Sequence, residues 1–326
     1  MGEEVSKKDV IVIGGPTASG KTGLSIELAK KVNGQIVSAD SMQIYKEMDI
    51  GTAKVTKEEM QGIKHYMLDF VSPDERYSVA DYKKQAKQAI REIIEKGKVP
   101  IVVGGTGLYV DSLIYEIEYQ DIKFDEKYRK QLEERSEKEG LEVLYNEAKK
   151  IDPEAITKIS QNDKKRILRI LEIYNATGKN KTEQEKESRK NEVEFDYKVY
   201  AISWDREKLY DRISQRVDIM IDQGLIEEVQ KIYSKYNKFP TAMQGLGYKE
   251  VLEYLEGKCN KQEMIDKIKQ ETRRYAKRQL TWFRKNKQTI WLDGQEKIQN
   301  NIEIILEGLN WKKRKKVIYK KKKRLN

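Results

Sequence analysis

Cysteine and histidine are nearly absent from this chain. A lone cysteine, Cys259, excludes an intramolecular disulfide and any cysteine-cluster metal site. The one histidine, His65, excludes paired-histidine metal sites and leaves little room for a His-based triad. Long apolar runs are also missing: stretches such as Val10–Ile13 and Ile101–Val103 fall far short of the ~20 residues that cross a bilayer. The opening Met1–Lys8 carries two Glu and two Lys and leads into no apolar stretch of the signal-peptide kind. These absences predict a cytoplasmic protein, neither membrane-spanning nor secreted. Its chemistry must rest on carboxylates, hydroxyls, backbone N–H groups, Lys and Arg.

Charge is what the chain has in abundance. Charged residues make up 37% of the 326 and apolar ones 38%, against a usual charged share of about a quarter. Enough apolar material remains for a core, and the length suits two domains or one with an insertion. The net charge of +11 invites a nucleic-acid reading. Lys outnumbers Arg by 49 to 16, however, and the segment Lys312–Arg324 alone holds ten cations and no acid. Without that segment the chain is close to neutral, so net charge alone does not establish such a partner. Residues 312–326 read as a disordered basic tail, either a non-specific phosphate contact or merely solvated.

Strand and helix signals alternate in the first third. Val10–Ile13, Gln35–Ser38 and Val99–Val103 are short apolar runs of the buried parallel type, with helical patterns up to about Val32 and over Val79–Lys96. Alternation predicts an α/β fold with a parallel sheet and crossover helices. From about Phe124 to Lys190 strand signals vanish. Helices are expected at Asp125–Glu139, Leu141–Lys150 and Asp163–Asn175, and a polar loop at Thr177–Asn191. Val199–Ser203 then reads as a strand returning to the sheet. Helices follow at Glu207–Gly224, Leu225–Tyr236, Tyr248–Glu256 and Gln262–Lys285, with a last strand at Thr289–Leu292. The expected organisation is a catalytic core of 1–120 with 196–311, interrupted by an all-helical insertion at 121–195.

Three polar motifs sit at strand ends, where parallel sheets bind ligands. Gly15-Pro16-Thr17-Ala18-Ser19-Gly20-Lys21-Thr22 matches G-x-x-x-x-G-K-[ST] between a strand and a helix. Its glycines turn N–H groups around a phosphate, Lys21 adds a point charge, and the Thr22 hydroxyl suits a magnesium ion. The bland reading is a plain Gly-rich turn. The loop reads phosphates and leaves open what they are attached to. Asp40 opens a second polar turn, as a helix cap, a magnesium ligand or a proton acceptor. Gly104-Gly-Thr-Gly107 is the third, a phosphate or leaving-oxygen cradle involving Thr106, or only a turn that needs positive φ.

Together with Met48–Lys54, Asp163–Glu172, Arg212–Gly224, Gly245–Glu250 and Arg273–Arg284, these motifs resemble the tRNA dimethylallyltransferase (tRNA isopentenyltransferase) family, bacterial type, over about residues 9–293. The resemblance implies a P-loop NTPase-like core with a helical insertion that grips the anticodon stem-loop. It implies transfer of a dimethylallyl group from its diphosphate to N6 of the adenosine 3′ to the anticodon of a tRNA. Asp40 would take the amine proton, with Thr106 near the reacting centre. Gly15 through Thr22, with Arg216 as a further cation, would hold the diphosphate; for Arg216 the bland alternative is a helix-surface arginine. Thr22 would reach Mg2+. Contacts with tRNA would come from Asp40, Ser41, Met42 and Gln43, from Lys165, Arg166, Ile167, Leu168 and Arg169, and from Gln244, Gly245, Leu246, Gly247, Tyr248 and Lys249. Gln43 has an amide able to read a base edge, and Tyr109 and Tyr115 are channel candidates against ordinary packing. Arg166 and Arg169 share a helical face and suit phosphates, a splayed base, or ion pairs with Asp163 and Glu172.

Lys165 replaces a Gln common in the family, which favours a phosphate contact over base reading. Cys259 and His65 cannot build the zinc finger of eukaryotic members. A monomer suffices for such a site. Three other readings remain open: a P-loop kinase for a small hydroxyl substrate, an adenylate isopentenyltransferase acting on free nucleotide, and a non-catalytic RNA-binding protein.

Overall fold

The computed structural model describes residues 7–117, 125–188 and 192–309. The basic tail expected at 312–326 lies outside the described residues. Residues up to Val110 together with those from Glu194 onward form one compact unit, and Asp111–Val193 form another.

The chain runs β1 (Asp9–Gly14), α1 (Lys21–Val32), β2 (Gly34–Ser38), α2 (Lys57–Met60), β3 (His65–Tyr66), α3 (Val79–Glu95), β4 (Val99–Val103) and α4 (Gly107–Ile114). Helices α5 (Glu126–Lys138), α6 (Leu141–Ile151), α7 (Pro153–Ile156), α8 (Lys164–Thr177) and α9 (Lys181–Ser188) follow. The chain then continues through β5 (Asp196–Ser203), α10 (Arg206–Asp222), α11 (Leu225–Lys235), α12 (Tyr248–Leu255), α13 (Lys261–Lys285), β6 (Ile290–Asp293) and α14 (Ile298–Gly308).

The strands form one parallel sheet in the order β3-β2-β4-β1-β5-β6, the α/β architecture that the alternating pattern predicts. Central β1 sets Ile11 opposite Ile101 on one side and Lys198 on the other. Val10–Ile13 are at most 1% exposed, and each such side chain contributes about 1.5–3 kcal/mol by burial. Additions to the predicted set include the short helices α2, α4 and α7, strand β3 and helix α14. Strand β3 is two residues long, too short to leave a pattern, and exists through pairing of His65 with Ile36. Helix α14 buries Ile302 and Ile305 against Leu24 and Leu28 of α1 in the cluster that covers the sheet.

A second apolar cluster of this unit joins Tyr45, Met48, Leu225, Val229, Tyr248 and Met264. It seats the polar 40–54 segment and the 242–248 turn on α11, α12 and α13. A capping box at each of α3 (Ser78–Asp81) and α13 (Asn260–Glu263) satisfies first-turn N–H groups and fixes where these long helices begin.

In the helical unit, α5, α6 and α8 enclose Leu132, Leu144, Ile156, Ile167, Leu168 and Leu171. The polar loop expected at Thr177–Asn191 is instead largely helix α9. Apolar patterning could not reveal it, because polar contacts hold it. Asn180 and Glu183 cap each other reciprocally, and the buried Asp152 carboxylate accepts from Thr182 N at 2.9 Å and Thr182 Oγ1 at 2.7 Å.

Candidate active site

One cavity of about 630 Å³ in the sheet-containing unit gathers Thr17–Thr22, Asp40–Gln43, Arg216 and Gln244–Lys249 around it. Sequence-distant motifs thus meet beyond the carboxyl ends of β1 and β2, as a parallel sheet provides.

The phosphate loop links β1 to α1. Gly15 (φ +137°), Ala18 (φ +60°) and Gly20 (φ +91°) lie in the left-handed region that turns successive peptides inward. The protein occupies the loop carbonyls. Lys21 Nζ donates to Gly15 O (3.1 Å) and Pro16 O (2.6 Å), Arg212 Nε to Ala18 O (2.8 Å), and Trp204 Nε1 to Ser19 O (3.0 Å). Thr17 N–H is given to Gln279 Oε1 at 2.9 Å. The N–H groups of Ala18, Ser19 and Gly20 have no backbone acceptor among the described residues, and those of Lys21 and Thr22 are the free first-turn groups of α1. Ser19 Oγ is buried without a partner. This leaves a row of unpaired donors at a helix N-terminus, an anion site in donor chemistry and field.

Two cations reinforce it. Burial, then the neighbouring Arg216 charge, pull the Lys21 ammonium down to about 7, with Asp40 opposing. Burial also lowers Arg216, again offset by Asp40. Arg216 is half-buried and makes no hydrogen bond to another described residue, so the helix-surface alternative does not describe it. Both cations gain from an arriving anion, because it offsets the charge that burial penalises.

Asp40 follows β2. Its Oδ1 accepts from Met42 N (2.9 Å) and Gln43 N (3.3 Å), which fixes the turn and leaves Oδ2 for chemistry. Thr106 braces that turn. Its Oγ1 accepts from Ser41 N at 3.0 Å and donates to Ser41 Oγ at 3.3 Å, while Thr106 N donates to Ala39 O. A Cβ on Gly104 would lie 2.1 Å from Ala39 O, so glycine is required for the two strand ends to approach. Burial and the Asp40 charge push the Tyr275 hydroxyl up to about 12, so it is a neutral donor in the cavity wall.

Not every anticipated residue reaches the cavity. Gly15, Pro16 and Thr106 stand behind its lining. Ile167 and Leu168, expected among the tRNA contacts, are instead fully buried in the core of the helical unit; they supply packing to α8 and no surface to a ligand. Lys165, Arg166 and Arg169 are exposed on that helix. Arg166 pairs with Asp163 and Arg169 with Glu172, each at 3.4 Å, the ion-pair alternative for both. Tyr248 is also buried, with its hydroxyl on Glu228 at 2.7 Å. Gln43 gives its Nε2 to Thr52 O and Ala53 O, which leaves only its amide oxygen for a base edge. Tyr109 stacks on Tyr82 at 3.9 Å and is packing; Tyr115 is half-buried.

Sequence reasoning missed Arg212, which follows Trp204 in bracing the loop, and Gln279, Tyr275 and Arg278 of α13 on the cavity wall. A signal for the first was present: Arg212 and Arg216 are one helical turn apart. No group of three or more His, Cys, Asp or Glu capable of holding a metal occurs among the described residues. A cation here must take most ligands from phosphate and water, as magnesium does, and the exposed Thr22 hydroxyl fits that donor set. No described helix is long and apolar enough to cross a membrane.

The sequence profile of the IPP transferase family matches residues 43–286. The chain is 52% identical over 304 residues to the tRNA dimethylallyltransferase of Acetivibrio thermocellus, covering 91% of this chain and 97% of that one. Against the Bacillus cereus enzyme of the same name the identity is 48%, with 89% and 91% covered. The full-length tRNA isopentenylpyrophosphate transferase of Bacillus halodurans superposes with TM-score 0.71 at 40% identity, over 97% of this chain and 99% of the other. A eukaryotic dimethylallyltransferase captured acting on tRNA gives 0.76 at 35% identity, over 89% and 74%. Fold, motifs and relatives agree, and the chain belongs to the tRNA dimethylallyltransferase (IPP transferase) family of prenyl-transferring enzymes.

Proposed function

We propose that the cavity transfers a dimethylallyl group from dimethylallyl diphosphate to N6 of the adenosine 3′ to the anticodon in a tRNA. The observation that carries the assignment of roles is the meeting, in one cavity, of the donor-lined phosphate loop with Lys21, Arg216 and the free Oδ2 of Asp40. An allylic C1–O bond is weak towards ionisation because the cation is delocalised. The catalytic task is to stabilise the departing diphosphate. The N–H groups of Ala18 to Thr22, Lys21 and Arg216 hold its oxygens. Thr22 and the phosphate oxygens would hold Mg2+, which supplies neutralisation of the leaving group's charge.

As C1–O breaks, its electron pair leaves with diphosphate, and the N6 lone pair closes the N6–C1 bond. The nitrogen becomes acidic as that bond forms, and Asp40 Oδ2 takes its proton. Thr106 keeps Asp40 aimed by bracing Ser41. No protein nucleophile is needed, in keeping with the scarcity of Cys and His. The exposed Lys165, Arg166 and Arg169 of α8 suit the phosphates of an anticodon stem, and the helical unit is the part that grips it. Gln244, Lys249 and the oxygen of Gln43 supply polar contacts at the adenosine end.

Purified protein with magnesium and radiolabelled dimethylallyl diphosphate, offered unmodified tRNA and in parallel AMP and ADP, tests this. Label in tRNA, lost when the target adenosine is replaced, is the expected result. Label only in the free nucleotides would reassign the acceptor to adenylate.

A further inference from the structure

Glu228 belongs to none of the anticipated motifs, yet its carboxylate joins two of them. Oε2 accepts the backbone N–H of Asp49 (2.9 Å) and Ile50 (2.7 Å), and Oε1 accepts that of Gly51 (3.1 Å) and the Tyr248 hydroxyl (2.7 Å). Three consecutive N–H groups converging on one carboxylate make a concave donor nest that is filled by a side chain of the protein itself. A carboxylate without these donors would be solvated, and the donors without a carboxylate would be left with partial positive charge and no acceptor. Charge-assisted bonds of this kind are the strong ones.

The consequence reaches the cavity. The 49–53 loop that Glu228 organises presents the carbonyls of Thr52 and Ala53, which accept the amide of Gln43. Gln43 in turn stands in the turn closed on Asp40 Oδ1. On the other side Tyr248 packs directly beneath Gly51, where a Cβ would come within 2.6 Å of its ring. Tyr248 also begins α12 immediately after the Gly245–Gly247 turn. All three segments face the cavity, and none belongs to the phosphate loop.

We infer that Glu228 is a positioning residue for the acceptor side of the cavity: its carboxylate fixes the 49–53 loop and Tyr248 against each other, and through Gln43 sets the wall against which the nucleobase beside Asp40 is placed. It touches no reacting atom. This rests on the proposed tRNA acceptor, and it goes further by separating acceptor placement from diphosphate binding.

Glu228→Gln keeps shape and one good acceptor oxygen, and Tyr248 can reverse its hydroxyl, but the new amide opposes the Gly51 N–H. Glu228→Ala removes every acceptor. The test measures kcat/KM for unmodified tRNA at saturating dimethylallyl diphosphate, and in parallel the affinity for inorganic diphosphate with magnesium, followed by isothermal titration calorimetry. The expected result is a graded loss for tRNA, about 10-fold in Gln and 100-fold or more in Ala, with diphosphate affinity within two-fold of the unaltered protein. In the Tyr248→Phe background, Glu228→Gln should cost less than it does alone, because the two act as one unit. A flat tRNA series overturns the proposal. So does a parallel loss of diphosphate binding, which would make Glu228 a general stability element. Absence of transfer to tRNA by the unaltered protein would overturn the underlying reading itself, before any variant is compared.

Discussion

The side-chain amide of Gln279 holds Thr17 and Gly105 at a fixed separation, accepting the Thr17 N–H at 2.9 Å and donating to the Gly105 carbonyl at 3.0 Å. One residue of α13 therefore ties the phosphate loop to the second glycine turn. Its neighbours extend the seam, since a Cβ on Gly14 would strike Phe283 and one on Gly107 would strike Trp282. The need for glycine at two different strand ends is thus explained by one helix lying across both.

Replacing Gln279 with Leu should leave the buried Gly105 carbonyl unpaired, at about 1–3 kcal/mol, and the part-buried Thr17 N–H without its partner at a smaller cost. The expected outcome is a fall in thermal midpoint of several degrees, at about 2–4 °C per kcal/mol for a chain of this class. Gln279→Glu should restore the Thr17 bond and not the Gly105 bond. Thermal unfolding of the three proteins measures this, and a midpoint unchanged in the Leu variant would remove the seam from the account.

Asp40→Asn separates the two tasks of that side chain. Its amide oxygen can still accept from Met42 N and Gln43 N, so the turn survives, while the proton acceptor is lost. Single-turnover prenyl transfer should slow by about 10²–10⁴-fold, with tRNA affinity within a few-fold. Near-normal turnover would take Asp40 out of the proton transfer.

The sequence revealed most of the sheet, because buried parallel strands are continuous apolar runs, and most of the cavity, because phosphate loops need glycines in order. What it concealed shares a physical reason. Helix α9 stands on caps and the Asp152 carboxylate, with no apolar face to leave a period. Ile167 and Leu168 looked like site residues only because they lie between exposed cations, although apolar residues flanked by Arg166 and Arg169 on a helix are its inward face. Gln279 and Glu228 act on backbone groups more than 170 residues away, a pairing no local pattern encodes.

Lys21 gives folding a pH dependence whose sign is fixed. Its folded value of about 7 lies below the unfolded 10.5, so between these values the unfolded chain binds more protons and stability rises with pH. The burden is greatest at and below pH 7 and fades towards pH 10. Between pH 7 and 9 the gain should be roughly 1–2 kcal/mol, after discounting for partial exposure. Thermal midpoints of the unaltered protein and Lys21→Met, compared across that range without ligand, isolate the contribution. The difference between the two should shift in favour of the unaltered protein as pH rises, and a constant difference would contradict the depressed ammonium.

Arg166 and Arg169 lie on the exposed side of α8, with side chains 68% and 48% accessible, and their partners Asp163 and Glu172 hold them only at 3.4 Å. Pairs this exposed contribute about 0–1 kcal/mol, so their retention by folding alone is weakly motivated. A phosphate is a stronger partner for either guanidinium, through bidentate charge-assisted bonds. The double variant Arg166→Ala with Arg169→Ala should therefore unfold within a degree or two of the parent. Its tRNA binding should weaken, with the slope of log K against log salt reduced in size by about 1.4–1.8, the loss of two phosphate contacts. Binding titrations at several salt concentrations measure the slope directly. An unchanged slope with lowered stability would assign both arginines to the α8 surface and leave the anticodon stem to other cations of the helical unit.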